Sequence, residues 1–110
     1  MSLSHDVYFT LVDASPEACD RLVQACFQHL TGHEGTLFFA AGKRGVEFER
    51  PVNECEHHVA LHVVFVDQAA HDAYQSNLRH LAFIEEQKAN WAEVRVFDAW
   101  VRVEERPIRL

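Results

Sequence analysis

The stretch His58-Val-Ala-Leu-His-Val-Val-Phe-Val66 is β-branched and too rich in apolar side chains to leave either face wet. Side chains of a strand point alternately to opposite faces of its sheet. One face here carries Val59, Leu61, Val63 and Phe65; the other carries His58, Ala60, His62, Val64 and Val66. Two further segments repeat the pattern. Thr36 to Ala41 sets Leu37, Phe39 and Ala41 against Thr36, Phe38 and Ala40. Val94 to Val103 sets Val94, Val96 and Trp100 against Phe97, Ala99, Val101 and Val103. Strands that are apolar on both faces need cover on both faces.

The remaining segments show where half of that cover comes from. His5 to Val12 reads as a first strand. Ser15-Pro16-Glu17 is a helix start, with a capping hydroxyl, proline at the first helical position and an acid in the first turn. Ala18, Cys19, Leu22, Val23, Cys26, Phe27 and Leu30 then recur at three and four, and Gly32 ends that helix. Gly42 through Asn53 reads as a long connection. Asp67 caps a second helix over 68–76, and Arg79 to Lys88 forms another helical piece after a break near Asn77. The order is β-α-β-β-α-β, a ferredoxin-like α+β arrangement. It predicts a four-stranded antiparallel sheet with its helices on one face.

The helices therefore cover one face and leave the other to a second copy of the chain. The expectation is a symmetric homodimer with two sheets packed face to face. The 110 residues are read as one domain, 1–110, with its core about 5–103 and a tail, 104–110, that carries no clear pattern. No repeat, low-complexity segment or linker is visible.

A formal charge of −7 argues against a nucleic-acid partner, whose backbone is bound by lysine and arginine. No signal-peptide pattern and no apolar run long enough to span a membrane is present. Cys19 and Cys26 fall two turns apart on one helix, about 10.5 Å, beyond the reach of a disulfide. Together with Cys55 they are expected to be buried or half-buried free thiols of a cytoplasmic protein.

Several stretches resemble the stress-response dimeric α/β-barrel family, Dabb. His5-x-Val7-x-Phe9 resembles its first strand and Val59-Ala60-Leu61 through Phe65 its third. Tyr74-x-x-x-x-x-His80 resembles its Tyr-x-x-His-Pro-x-His signature, and Val96-Phe97-Asp98 its last strand. Two departures stand out. Asn77 and Leu78 occupy the places of the signature's first histidine and its proline, and Thr10, Leu11 and Val12 stand where a lysine often follows the first strand. The resemblance, over about residues 5 to 101, implies a homodimer, stress-associated in some plant members. It also implies a relation to a plant polyketide cyclase that closes rings by aldol chemistry without metal or organic cofactor. By position, His80 and Tyr74 would take that enzyme's histidine and tyrosine roles, and Asp98 resembles the acid that orients the histidine. Other dimeric α/β barrels are cofactor-free monooxygenases, though no residue here singles out an oxygen-activating site.

The side chains themselves suit such chemistry. Histidine is the natural base near neutral pH, and a carboxylate can set its tautomer. A tyrosine hydroxyl can hold a carbonyl oxygen or a developing enolate. Asp98 lies between Val96 and Trp100 on one strand face and needs a partner, for which His80 is the candidate. The competing reading makes His80–Asp98 a structural hydrogen bond with Tyr74 packed beside it.

The functional expectation is a small-molecule pocket in each subunit for an apolar or aromatic carbonyl ligand. Phe27, Phe83 and Trp91 would wall it, and His5 either lines it or satisfies a strand-edge carbonyl. The catalytic alternative is a cofactor-free lyase or cyclase with His80 as base. No metal site is expected. His58 and His62 would stand about 13 Å apart on a strand, too far to share one ion within a chain, and only a dimer axis could bring copies together. His29 and His33 flank a helix end, where a positive charge is favourable. Gly42-Lys43-Arg44-Gly45 lacks the spacing of a phosphate loop and is read as a solvated turn.

Overall fold

From Ser2 to Leu11 every second residue is buried, and this run is β1, an inner strand of the sheet. A computed structural model describes residues 1–104 of the chain. The expected tail beyond Glu104 lies outside the described residues. Helix α1 covers Pro16–Leu30 and strand β2 Thr36–Lys43. Strand β3 covers Val59–Phe65, helix α2 Gln68–Ser76 and helix α3 Leu78–Gln87. One 3-10 turn, Lys88–Asn90, leads into β4, Trp91–Val101. The sheet order is β2-β3-β1-β4 and all neighbours are antiparallel. This is the ferredoxin-like arrangement. Strand β4 starts three residues earlier than the pattern predicts, so Trp91 belongs to the sheet.

Local chemistry explains the helix boundaries. The Ser15 hydroxyl accepts from the Ala18 amide, and Pro16 opens α1. The Asp67 carboxylate accepts from the Ala70 amide at the start of α2. Asn77 is extended; its amide closes α2 on the Tyr74 carbonyl while its side chain caps α3 through the Arg79 amide. Arg79 then donates to the Gln28 and Thr31 carbonyls, at 2.8 and 2.7 Å, which ties α3 to the last turn of α1. Among the described residues no helix is long and apolar enough to cross a membrane.

The core lies between the helices and the inner strands. Phe9, Leu22, Leu30, Val59, Leu61, Val63 and Phe65 are almost wholly excluded from water. Burying each large aliphatic or aromatic side chain contributes on the order of 1.5–3 kcal/mol. Cover fails at two places. The outer sheet face leaves Phe38 and Phe97 more than half exposed, beside Tyr8 and Val64. On the helix face, β4 is the edge the helices do not reach, and Val96 and Trp100 are 49% and 53% exposed there.

Three local expectations are corrected. A register shift between Thr36 and Phe38 sets Thr36 opposite Phe65 and Phe38 opposite Val64. Leu37 is thus the extra residue of a bulge, and Thr36 shares the helix-side face with Phe39 instead of the outer face. Phe27, expected in the pocket wall, is 47% exposed and packs edge-on against Phe39, because α1 lies toward the β2 side of the sheet. Cys55 is exposed, since it sits in the long β2–β3 connection and not on an element.

Gly35 has φ +83, and a Cβ there would overlap the Cβ of Ala70, where β2 begins against α2. Gly35→Ala is expected to destabilise the fold by about 1–3 kcal/mol, read as a lowered denaturation midpoint, through left-handed strain and overlap. The thiols differ as well: Cys26 is fully buried and pushed up to about 12 by desolvation, and burial also raises Cys19. Under native conditions an alkylating reagent should modify Cys55 alone, with Cys19 and Cys26 reacting after denaturation, as counted by mass spectrometry.

A histidine-rich cleft between the helices and β4

The uncovered edge of the sheet is one wall of a cleft of about 450 Å³, closed on the opposite side by α2 and α3. Its inner end is aromatic. Phe9, Phe83 and Trp91 pack on one another with ring centroids 5.1–6.3 Å apart. Val94 and Val96 of β4 and Ile84 of α3 continue the apolar lining. Phe83 and Trp91 line this cleft, and Phe27 does not.

Strand register supplies the polar end. His5 pairs with Asp98 across β1 and β4, so both side chains rise from the same face. His5 Nδ1 lies 2.6 Å from Asp98 Oδ1. His5 is 5% exposed, while the Asp98 side chain is nearly half exposed. The expected His80–Asp98 pair is thereby corrected. Asp98 is engaged by the residue directly opposite it in the sheet, and α3 carries His80 to the Tyr74 side of the cleft. His5 accordingly lines the cavity and does not serve a strand-edge carbonyl.

Tyr74 is 2% exposed and its ring lies within 4.7–5.0 Å, centroid to centroid, of those of Phe65, His33 and His80. Desolvation pushes its hydroxyl well above the ordinary tyrosine value, so it stays protonated and can donate. The His80 ring packs tilted against Tyr74, with centroids 4.7 Å apart. Burial lowers its pKa, and neighbouring charge on His5 and His33 lowers it further, so the neutral imidazole prevails near pH 7. A backbone hydrogen bond with Gln75 acts in the opposite direction. Among the described residues, His80 Nδ1 and Trp91 Nε1 are buried without a well-formed hydrogen bond, and both residues line the cleft.

His71 was given no role in the sequence reading. It lies one helical turn before Tyr74, which puts it on the same face of α2, and this spacing is the signal that could have found it. Its ring meets His5 edge-on at 5.2 Å. Gln75 Nε2 sits 3.4 Å from His5 Nε2 and 3.5 Å from His71 Nε2. Donor atoms of His5, His71 and Asp98 all fall within 4.8 Å of one another, the one set of three such donors among the described residues.

The other histidines are separately occupied. His57 pairs with Glu54, and His62 Nδ1 lies 2.9 Å from Asp6. His58 Nδ1 accepts the Leu11 amide at 2.9 Å. His33 Nε2 donates to the His29 carbonyl at 2.9 Å, and His29 reaches Glu86.

Comparison with known proteins agrees with this architecture. A Dabb-family protein with a ferredoxin-like fold from Mesorhizobium loti superposes with a TM-score of 0.75 at 23% identity, over 94% of this chain and 98% of that one. A dimeric ferredoxin-like protein of unknown function from Jannaschia sp. gives 0.74 at 24% identity, over 92% and 100%. A putative antibiotic biosynthesis monooxygenase from Chloroflexus aurantiacus gives 0.70 at 14% identity, over 99% and 100%. These likenesses establish the fold alone. No curated protein sequence matches the chain. The model of the stress responsive A/B barrel domain matches residues 3–101, and the chain belongs to that family, Dabb.

Proposed function

We propose that this chain is a homodimeric small-molecule-binding protein whose cleft takes an apolar or aromatic carbonyl compound in each subunit. The observation that carries this reading is the pair of buried polar atoms without a well-formed hydrogen bond, His80 Nδ1 and Trp91 Nε1, that line the one cleft beside its apolar wall. Each such group costs roughly 1–3 kcal/mol when left without a hydrogen bond. The indole N–H is a donor only and fits a carbonyl or hydroxyl oxygen. An aromatic body would then rest between Phe83 and Val94.

The dimer reading rests on the outer sheet face, where Phe38 and Phe97 are more than half exposed and Val64 is only partly buried. Several solved proteins of the same fold are described as dimeric, which supports a second copy as the cover. Three unpaired cysteines support a reducing, cytoplasmic setting.

The reaction these side chains suit is proton abstraction next to a carbonyl. The neutral His80 imidazole is the base. Tyr74, held protonated by burial, donates to the oxygen on which enolate charge develops. His5 and Asp98 form the polar wall opposite. Removing the proton leaves an enolate and an imidazolium, and the enolate carbon is then free to attack a second carbonyl, as in lyase or cyclase chemistry. The monooxygenase alternative draws support only from likeness of fold.

Two experiments test this. An aryl methyl ketone incubated with the protein in heavy water should gain deuterium at its α-carbon, followed by NMR. His80→Ala should slow that exchange about 100-fold or more and Tyr74→Phe should slow it measurably, with melting temperatures near that of the unaltered protein. Exchange unaffected by His80→Ala would remove the catalytic reading, and a cavity that binds no such ketone would remove the ligand reading. For assembly, light scattering should find a dimer, and Phe97→Asp should shift it to single chains by placing a charge in the packed sheet face.

A further inference from the structure

His71 has no part in the proton chemistry above, yet it completes a donor set with two residues that the sheet already holds together. We propose that His5, His71 and Asp98 bind a divalent transition-metal ion, of the zinc, cobalt or ferrous type, at the polar end of the cleft.

Geometry is the first support. A tetrahedral ion with bonds of about 2.0–2.1 Å sets its ligand atoms roughly 3.3 Å apart. His5 Nδ1 and Asp98 Oδ1 stand at 2.6 Å, on adjacent strands in direct register. With all three donors within 4.8 Å, the widest pair has at most about 1.5 Å to close. The side chain that must move is His71, which is only part-buried on the opening turn of α2. The two strand residues need to part by only about 0.7 Å.

Donor chemistry is the second support. Two imidazoles and one carboxylate suit borderline ions, whereas magnesium and calcium take oxygen ligands. Three protein ligands leave a position open toward the cavity, as in catalytic sites. The half-exposed Asp98 carboxylate gives the ion a way in from solvent.

The surroundings are the third. A metal-bound imidazole almost always donates its other N–H to a second partner. With His5 Nδ1 on the ion, its proton resides on Nε2, and the Gln75 amide faces that atom at 3.4 Å. Turning the amide by 180° presents its oxygen as the acceptor, a choice set by the hydrogen-bond network. Gln75 is thus a positioning residue for the site.

This site needs no organic ligand, so its test is separate from that of the carbonyl reading. The full chain, stripped with a chelator and dialysed, is titrated with Co²⁺ and followed by visible absorption. One Co²⁺ per chain should bind with ligand-field bands, Zn²⁺ should displace it, and Mg²⁺ should not. His71→Ala spares the His5–Asp98 pair and should weaken Co²⁺ binding by at least about tenfold, as should Asp98→Asn. Circular dichroism melting confirms that both variants are folded. His57→Ala, at the other histidine–carboxylate pair, should bind as the unaltered chain does. Absence of a saturable band at one equivalent overturns the site. So does undiminished binding in His71→Ala, displacement by Mg²⁺, or an equal loss in His57→Ala.

Discussion

A four-stranded sheet has more apolar surface than one layer of helices can hide, and the shape of this protein follows from where that shortage falls. Helix α1 lies toward β2 and β3, α2 reaches β1 and β3, and α3 packs on α1 and α2 with Phe83 against Phe9 of β1. Strand β4 is left over on the helix side. Its Val94 and Val96 therefore become the floor of a cavity instead of core. The same shortage exposes Phe38 and Phe97 on the outer face. Cleft and unpaired face are two results of one mismatch between sheet area and helix area. Hydrophobic burial is non-directional, so either surface is satisfied by any apolar partner of fitting shape.

Within the cleft, polar groups are arranged by backbone register and by helix phase, which are independent of each other. Register sets His5 against Asp98. Helix phase sets His71, Tyr74 and Gln75 on the inward side of α2, and the break at Asn77 re-aims the chain so that His80 comes to rest on Tyr74. Had α2 and α3 continued as one straight helix, His80 would lie six residues beyond Tyr74, about 9 Å further along a common axis. The capping side chain of Asn77 thus does structural work that bears directly on the site.

Electrostatics then divide the histidines by state. His5 has a carboxylate at hydrogen-bond distance, whereas His80 has none and is kept neutral by burial and by nearby imidazoles. Tyr74 is held protonated by desolvation. A neutral base beside a protonated donor is the combination that enolisation uses, and a carboxylate-backed imidazole beside a second histidine is one that metal ions use. The two arrangements share one cavity, and His5 and Asp98 face both.

Alternation and periodicity determined the element order, the ferredoxin-like class, the caps at Ser15 and Asp67, and the unmet need for cover on the outer sheet face. Each of these depends on neighbours within a few residues, and side-chain periods of 2 and 3.6 are written directly in the chain. The break near Asn77 was legible for the same reason. Tyr74 as a candidate site residue was also within reach, through resemblance. Only the tertiary structure decided that Asp98 belongs to His5, that His71 joins them, that Phe27 turns toward Phe39 and that Leu37 forms a bulge. Those outcomes depend on which residues meet across strands and between helix and sheet. Such pairings are settled by global packing and register, and no local pattern in the chain encodes them.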